Sequence, residues 1–84
     1  MTQDPINYFE LDELSVEANY IGESLASLLW DKISEAGGHN LCIRGGIDHT
    51  FIADCRRPHD MAPVSEHGPS IEETLYRLLR SLKS

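Results

Sequence analysis

The side chains best suited to chemistry here are two cysteines and four histidines. His39-x2-Cys42 and Cys55-x3-His59 form two nitrogen–sulfur pairs separated by residues 43–54. Imidazole and thiolate are the ligands of tetrahedral zinc, and two such pairs across a hairpin have zinc-finger-like spacing. The chemistry requires all four to converge. On neighbouring antiparallel strands, Cys42 and Cys55 are expected on opposite faces in the registers a short hairpin favours. The apolar pattern also supplies a core without metal. The set His39, Cys42, Cys55 and His59 is therefore a secondary candidate, and no cofactor is expected.

Asp48-His49 and His59-Asp60 place a carboxylate beside an imidazole. General acid–base work needs a third group and a surrounding pocket, and adjacent residues rarely face each other that way. A cysteine–histidine nucleophile pair is conceivable, but strand cysteines are usually buried and inert. Gly45-Gly46 lacks the Gly-Lys-Ser/Thr continuation of a phosphate loop and reads as a turn. These patterns point to a non-enzymatic protein.

Charge is more informative. The 84 residues carry a formal net charge of −7. Residues 1–36 hold Asp4, Glu10, Asp12, Glu13, Glu17, Glu23, Asp31 and Glu35 against Lys32 alone, which already accounts for the whole excess. The remainder balances, with Arg44, Arg56 and Arg57 as its middle basic cluster. Such a chain should repel phosphate backbones and membrane surfaces and be drawn to basic partners. The first residues show no basic start and no apolar block, so no secretory signal is expected. A reducing, cytoplasmic setting with free thiols follows as the expectation.

The elements that position these groups are legible from periodicity. Residues 1–84 are expected to form one domain, since a chain this short builds a single core. Residues 1–11 read as an arm or short helix, with Asp4-Pro5 as cap and first helical position. Residues 12–36 read as one helix, with Leu14, Ala18, Ile21, Leu25, Leu28 and Leu29 on its apolar face and Gly37-Gly38 as its stop. Residues 40–45 and 49–56 read as a hairpin turning at Gly46-Ile47-Asp48, with Leu41, Ile43, Phe51, Ala53 and Cys55 inward. Residues 60–67 suggest an edge strand, because Pro63 cannot donate to a central ladder. Ser70-Ile71-Glu72-Glu73 is a capping box opening a helix over 70–82, with Ile71, Leu75, Leu78, Leu79 and Leu82 as its stripe. The expected fold is α+β: a two-layer α-β-β-(β)-α domain with an antiparallel sheet of two or three strands against two helices.

Wound as one helix, residues 12–36 align Glu13, Glu17, Asp31 and Glu35 along one edge, a ridge of about 33 Å at 1.5 Å per residue. Tyr20, Ser24 and Ser27 lie between them. The other edge carries Ser15, Asn19, Gly22, Ala26, Trp30 and Ile33, a small-residue groove suited to the arm or to a second chain. Tyr20 and Trp30 are the expected anchors, since aromatic residues concentrate binding energy.

The order helix, Gly-Gly stop, hairpin, short strand and capped helix resembles the αβββα layout of double-stranded-RNA-binding-like domains over residues 12–82. His67-Gly68-Pro69-Ser70-Ile71-Glu72-Glu73-Thr74-Leu75 is similar to the link before the final helix in such domains and in HicB-type antitoxins. RNA-binding members place lysines where this chain has Glu72 and Glu73, so direct nucleic-acid binding is not implied. Small acidic domains of this kind also resemble phage-encoded accessory proteins, including anti-CRISPR inhibitors. The resemblance implies an inhibitor that acts by binding a protein; the acidic ridge makes the expected contact a basic surface of a nucleic-acid-binding protein, met through Glu13, Glu17, Asp31 and Glu35 with Tyr20 or Trp30 as anchors. The competing expectation is a dimeric antitoxin or transcriptional co-regulator.

Overall fold

The computed structural model describes residues 7–83. Its elements run α1 (Tyr8–Tyr20), α2 (Leu25–Glu35), β1 (His39–Gly45), β2 (Phe51–Arg56), β3 (Pro63–Gly68) and α3 (Ile71–Lys83). The strands form one antiparallel sheet in the order β1-β2-β3. The α3 helix packs on β2 and β3, α2 lies beside α3, and α1 packs against α2. The fold is α+β, with the three-stranded sheet layered against helices.

The single helix expected over 12–36 is two helices. Ile21 caps α1, and Gly22 follows with φ of +77°, a left-handed conformation that glycine adopts without steric cost. The Glu23 amide donates to the Ala18 carbonyl at 2.8 Å and the Gly22 amide to that of Asn19 at 3.2 Å. This double return of amides to the last turn is the Schellman termination. Ser24 then opens α2, its hydroxyl accepting from the Ser27 amide at 3.1 Å. The end of α2 repeats the device: Gly37 has φ of +91°, and the Gly38 and Gly37 amides donate to Ile33 and Ser34. One glycine at each end does the same work.

The start also moves. Asn7 is the cap of α1, its side chain accepting from the Glu10 amide at 3.2 Å, so residues 8–11 form the first turn of a full helix. The expected cap and proline at Asp4-Pro5 lie outside the described residues.

The hairpin and the last strand form where expected but with shifted bounds: the strand expected from residue 49 begins at Phe51, leaving His49 and Thr50 in the turn, and the strand expected over 60–67 runs from Pro63 to Gly68. Gly46 donates to the Thr50 carbonyl at 2.7 Å, and Asp48 and His49 take positive φ in the turn. Proline opens β3 at an edge of the sheet, where its missing N–H leaves no gap in a central ladder. The core joins Ala53, Cys55 and Val64 of the sheet to Leu29 and Ile33 of α2, Leu11 of α1, and Leu75, Tyr76, Leu78 and Leu79 of α3. Leu41 and Ile43 are only half-buried at its margin. Ile21, expected in the apolar face, is exposed because it lies at the corner where α1 ends.

Ser70 accepts from the Glu73 amide at 3.1 Å, the first half of the expected capping box. Glu73 also lies beside the Tyr8 hydroxyl, whose hydrogen bond to that carboxylate raises its pKa above the ordinary value.

Candidate functional site

The α1 helix presents two apolar faces. At about 100° per residue, Leu11, Leu14 and Ala18 share one side and Phe9, Val16 and Tyr20 the other. Leu11 and Ala18 are buried and Leu14 is half-buried. Phe9, Val16 and Tyr20 are 76%, 68% and 91% exposed. Asp12 and Glu13 lie among them, both exposed. The solvent face of α1 is thus a row of large apolar side chains set with carboxylates.

Two contacts fix how the helix lies. The buried Tyr76 of α3 donates its hydroxyl to Glu10 Oε2 at 2.7 Å. Burial, and after it the Glu10 carboxylate, raises the Tyr76 pKa above its ordinary 10.0. Arg80 lies over the same ring, 5.8 Å from its centre. On the other flank, Glu17 pairs with Lys32 of α2 at 3.5 Å.

The expected ridge residues are dispersed by the break at Gly22. Glu13 remains on the outer face of α1 beside Tyr20. Glu17 is tied to Lys32, and this pair bridges the two helices. Asp31 lies beside Glu23, whose carboxyl is raised above its ordinary value first by burial and then by the Asp31 charge. Glu35 is exposed near the end of α2. Trp30 sits on α2 at 38% exposure, on a different helix from Tyr20. A straight 33 Å row requires one uninterrupted helix, so with the helix broken at Gly22 the four acids are divided between two helices, Glu13 and Glu17 on α1 and Asp31 and Glu35 on α2. The small-residue groove dissolves for the same reason: Gly22 is in the corner and Ile33 is fully buried.

No internal cation neutralises Asp12, Glu13 or Glu35 among the described residues. Arg44 leans on Asp54 at 3.2 Å, and Arg56 donates to the Met61 carbonyl at 2.9 Å. Both belong to the sheet side of the molecule.

The zinc-type set does not converge. Cys42 pairs in register with Asp54, so Cys55 falls on the other face of the sheet. Cys42 is exposed and Cys55 is buried, where desolvation raises its thiol pKa. Among the described residues no three His, Cys, Asp or Glu side chains come together as a metal site. His59 Nε2 and Asp60 Oδ2 lie 3.8 Å apart, both well exposed. The Asp60 carboxyl is held below its ordinary value, chiefly by the Ala62 amide.

Reading residues 12–36 as one helix hid Phe9, Asp12 and Val16 as members of a docking face. Two signals mark that face in the sequence: Asn7-x-x-Glu10 is a capping pattern, and apolar residues at 9, 16 and 20 form a stripe opposite 11, 14 and 18. No helix among the described residues is long and apolar enough to cross a membrane. Set against family models, curated proteins and solved structures, the chain matches none of them.

Proposed function

We propose that this chain is a non-enzymatic, acidic protein-binding domain whose α1 face docks on the basic surface of a nucleic-acid-binding protein. The observation that carries the reading is the exposure of Phe9, Val16 and Tyr20 beside Asp12 and Glu13, carboxylates that no cation among the described residues pairs. Exposed apolar side chains in a row on a small domain mark interaction sites. Aromatic anchors supply affinity, while surrounding charge steers the encounter and selects a basic partner. Glu35, Asp31 and Trp30 on α2 extend the contact to a second surface. Occupying the arginines and lysines that otherwise grip phosphate makes such a domain an inhibitor in the style of phage or mobile-element proteins such as anti-CRISPRs.

The test is binding to a partner recovered by cross-linking in the native cell. Asp12→Lys with Glu13→Lys should slow association and flatten its salt dependence. Tyr20→Ala should speed dissociation, with a loss of about tenfold or more in affinity. Equal binding by wild type and both variants would remove α1 from the interface. A recovered partner with no basic surface would remove the electrostatic reading.

A further inference from the structure

We infer that two copies of this chain associate through the free edge of β1, pairing antiparallel across a two-fold axis to make one six-stranded sheet. The inference does not depend on the α1 docking face; it rests on how differently the two edges of the sheet are finished.

A sheet edge offers unpaired N–H and C=O groups to any strand that approaches, and proteins blunt such edges with proline, charge or covering side chains. The β3 edge is finished in this way. Pro63 has no N–H to offer, and Arg77 of α3 donates to the His67 carbonyl at 3.1 Å. Ser81 of α3 reaches Glu66 at 2.7 Å, so the helix is laced to that strand.

The β1 edge has little of this. Among the described residues no strand lies beside it other than β2, and helix packing on the sheet concentrates on β2 and β3. Its one Lys or Arg is Arg44, whose charge is already engaged by Asp54. It contains neither proline nor carboxylate. A bulge between His39 and Cys42 irregularises its first residues, and Cys42–Gly45 is left in regular register with β2. Leu41 and Ile43 belong to the core side yet stay half-exposed, because the layer of helices stops short of them.

A second copy suits this edge in three respects. An antiparallel edge is self-complementary across a two-fold axis, so one surface serves both partners. The half-exposed Leu41 and Ile43 of each copy would be brought beside those of the other, continuing the apolar layer across the junction. The excess negative charge resides in residues 1–36, whereas residues 37–84 are balanced. Association through β1 therefore brings together neutral regions of two acidic molecules.

The experiment is light scattering on the full chain from about 10 µM to about 1 mM, paired with hydrogen exchange at both ends of that range. The expected mass rises from the 9.4 kDa monomer toward twice that value. The dissociation constant should be on the order of 100 µM or tighter, as befits a small interface. The β1 amides should gain protection at the higher concentration. Cys42→Lys places a charge on the exposed side of the strand, away from the core, and should weaken dimerisation by about tenfold or more with the melting temperature of the monomer preserved. Tyr20→Ala should leave dimerisation unchanged. A monomer at every concentration overturns the inference. So does a dimer that ignores Cys42→Lys, shows no concentration-dependent protection in β1, or is lost on Tyr20→Ala.

Discussion

The α1 and α3 helices are the same length, 13 residues each, and are built on different principles. In α3 one apolar stripe faces the core, Glu72 and Glu73 occupy the positive end, and Arg80 and Lys83 the negative end. Its cap, its terminal charges and Leu75, Leu78 and Leu79 act as their positions predict, while Ile71, expected in the same stripe, stays exposed in the first turn. In α1 the apolar residues are divided between two opposite faces, and no basic residue stands in its last turn. Among the described residues only one of those faces packs against the rest of the fold. The helix is held by Leu11 in the core, the Tyr76–Glu10 hydrogen bond and the Glu17–Lys32 pair. A helix whose second apolar face serves no internal purpose is where an external purpose is expected.

The largest effect that tests this contrast comes from truncating each helix in turn. Leu78→Ala removes a fully buried side chain and should cost about 2–5 kcal/mol in denaturant unfolding. Phe9→Ala and Val16→Ala, on the outer face of α1, should each stay within about 0.5 kcal/mol of wild type. A large loss from either would mean that the outer face is internal packing.

Next comes the pin between the two helices. Tyr76→Phe keeps the ring and removes the hydroxyl that donates to Glu10, and should cost about 1.5 kcal/mol. The same group predicts a pH dependence. Because the folded-state pKa of Tyr76 is raised above 10.0, the folded protein holds this proton more tightly than the unfolded chain. The contribution is complete below pH 10 and is lost as pH rises through the folded-state value. Wild type should therefore lose more stability above pH 10 than Tyr76→Phe, as thermal melts across that range would show.

The corner between α1 and α2 predicts a smaller change. Gly22→Ala meets no atom within 4 Å, so any loss is purely conformational. It should be about 1 kcal/mol by chemical denaturation, the cost of an L-residue in the left-handed region. A neutral result would show that the corner relaxes and that α1 is not firmly terminated there.

The smallest expected effect is a gain. Burial, followed by the Asp31 charge, raises the Glu23 pKa above its ordinary value. Its folded-state proton is thus favoured, and that contribution fades as pH rises through the folded-state value. At neutral pH the ionised carboxylate opposes folding. Glu23→Gln should raise the melting temperature slightly at pH 7 and flatten its acid-side dependence. A fall in melting temperature would show instead that the carboxylate is held by favourable contacts.

Sequence alone determined those parts whose signals are local. The α3 helix was readable because its cap, stripe and terminal charges all lie within thirteen consecutive residues. The hairpin and the proline-led edge strand were readable because alternation and turn residues act over a few positions. Gly37-Gly38 reads as a helix stop, and Gly22 carries the same backbone signal singly. Apolar spacing continues across Gly22, and a 3.6-residue period takes no account of a bend, so the pattern places it in a groove of small residues rather than at a stop. Tertiary structure decided the rest. The inward side of Leu14 and Ala18 follows from their spacing, but what receives that side, and the exposure of Phe9, Val16 and Tyr20 opposite it, rests on packing between residues as far apart as Glu10 and Tyr76. The same long-range packing left Asp12 and Glu13 exposed and, among the described residues, β1 with no second neighbouring strand, the two surfaces on which the proposed associations depend.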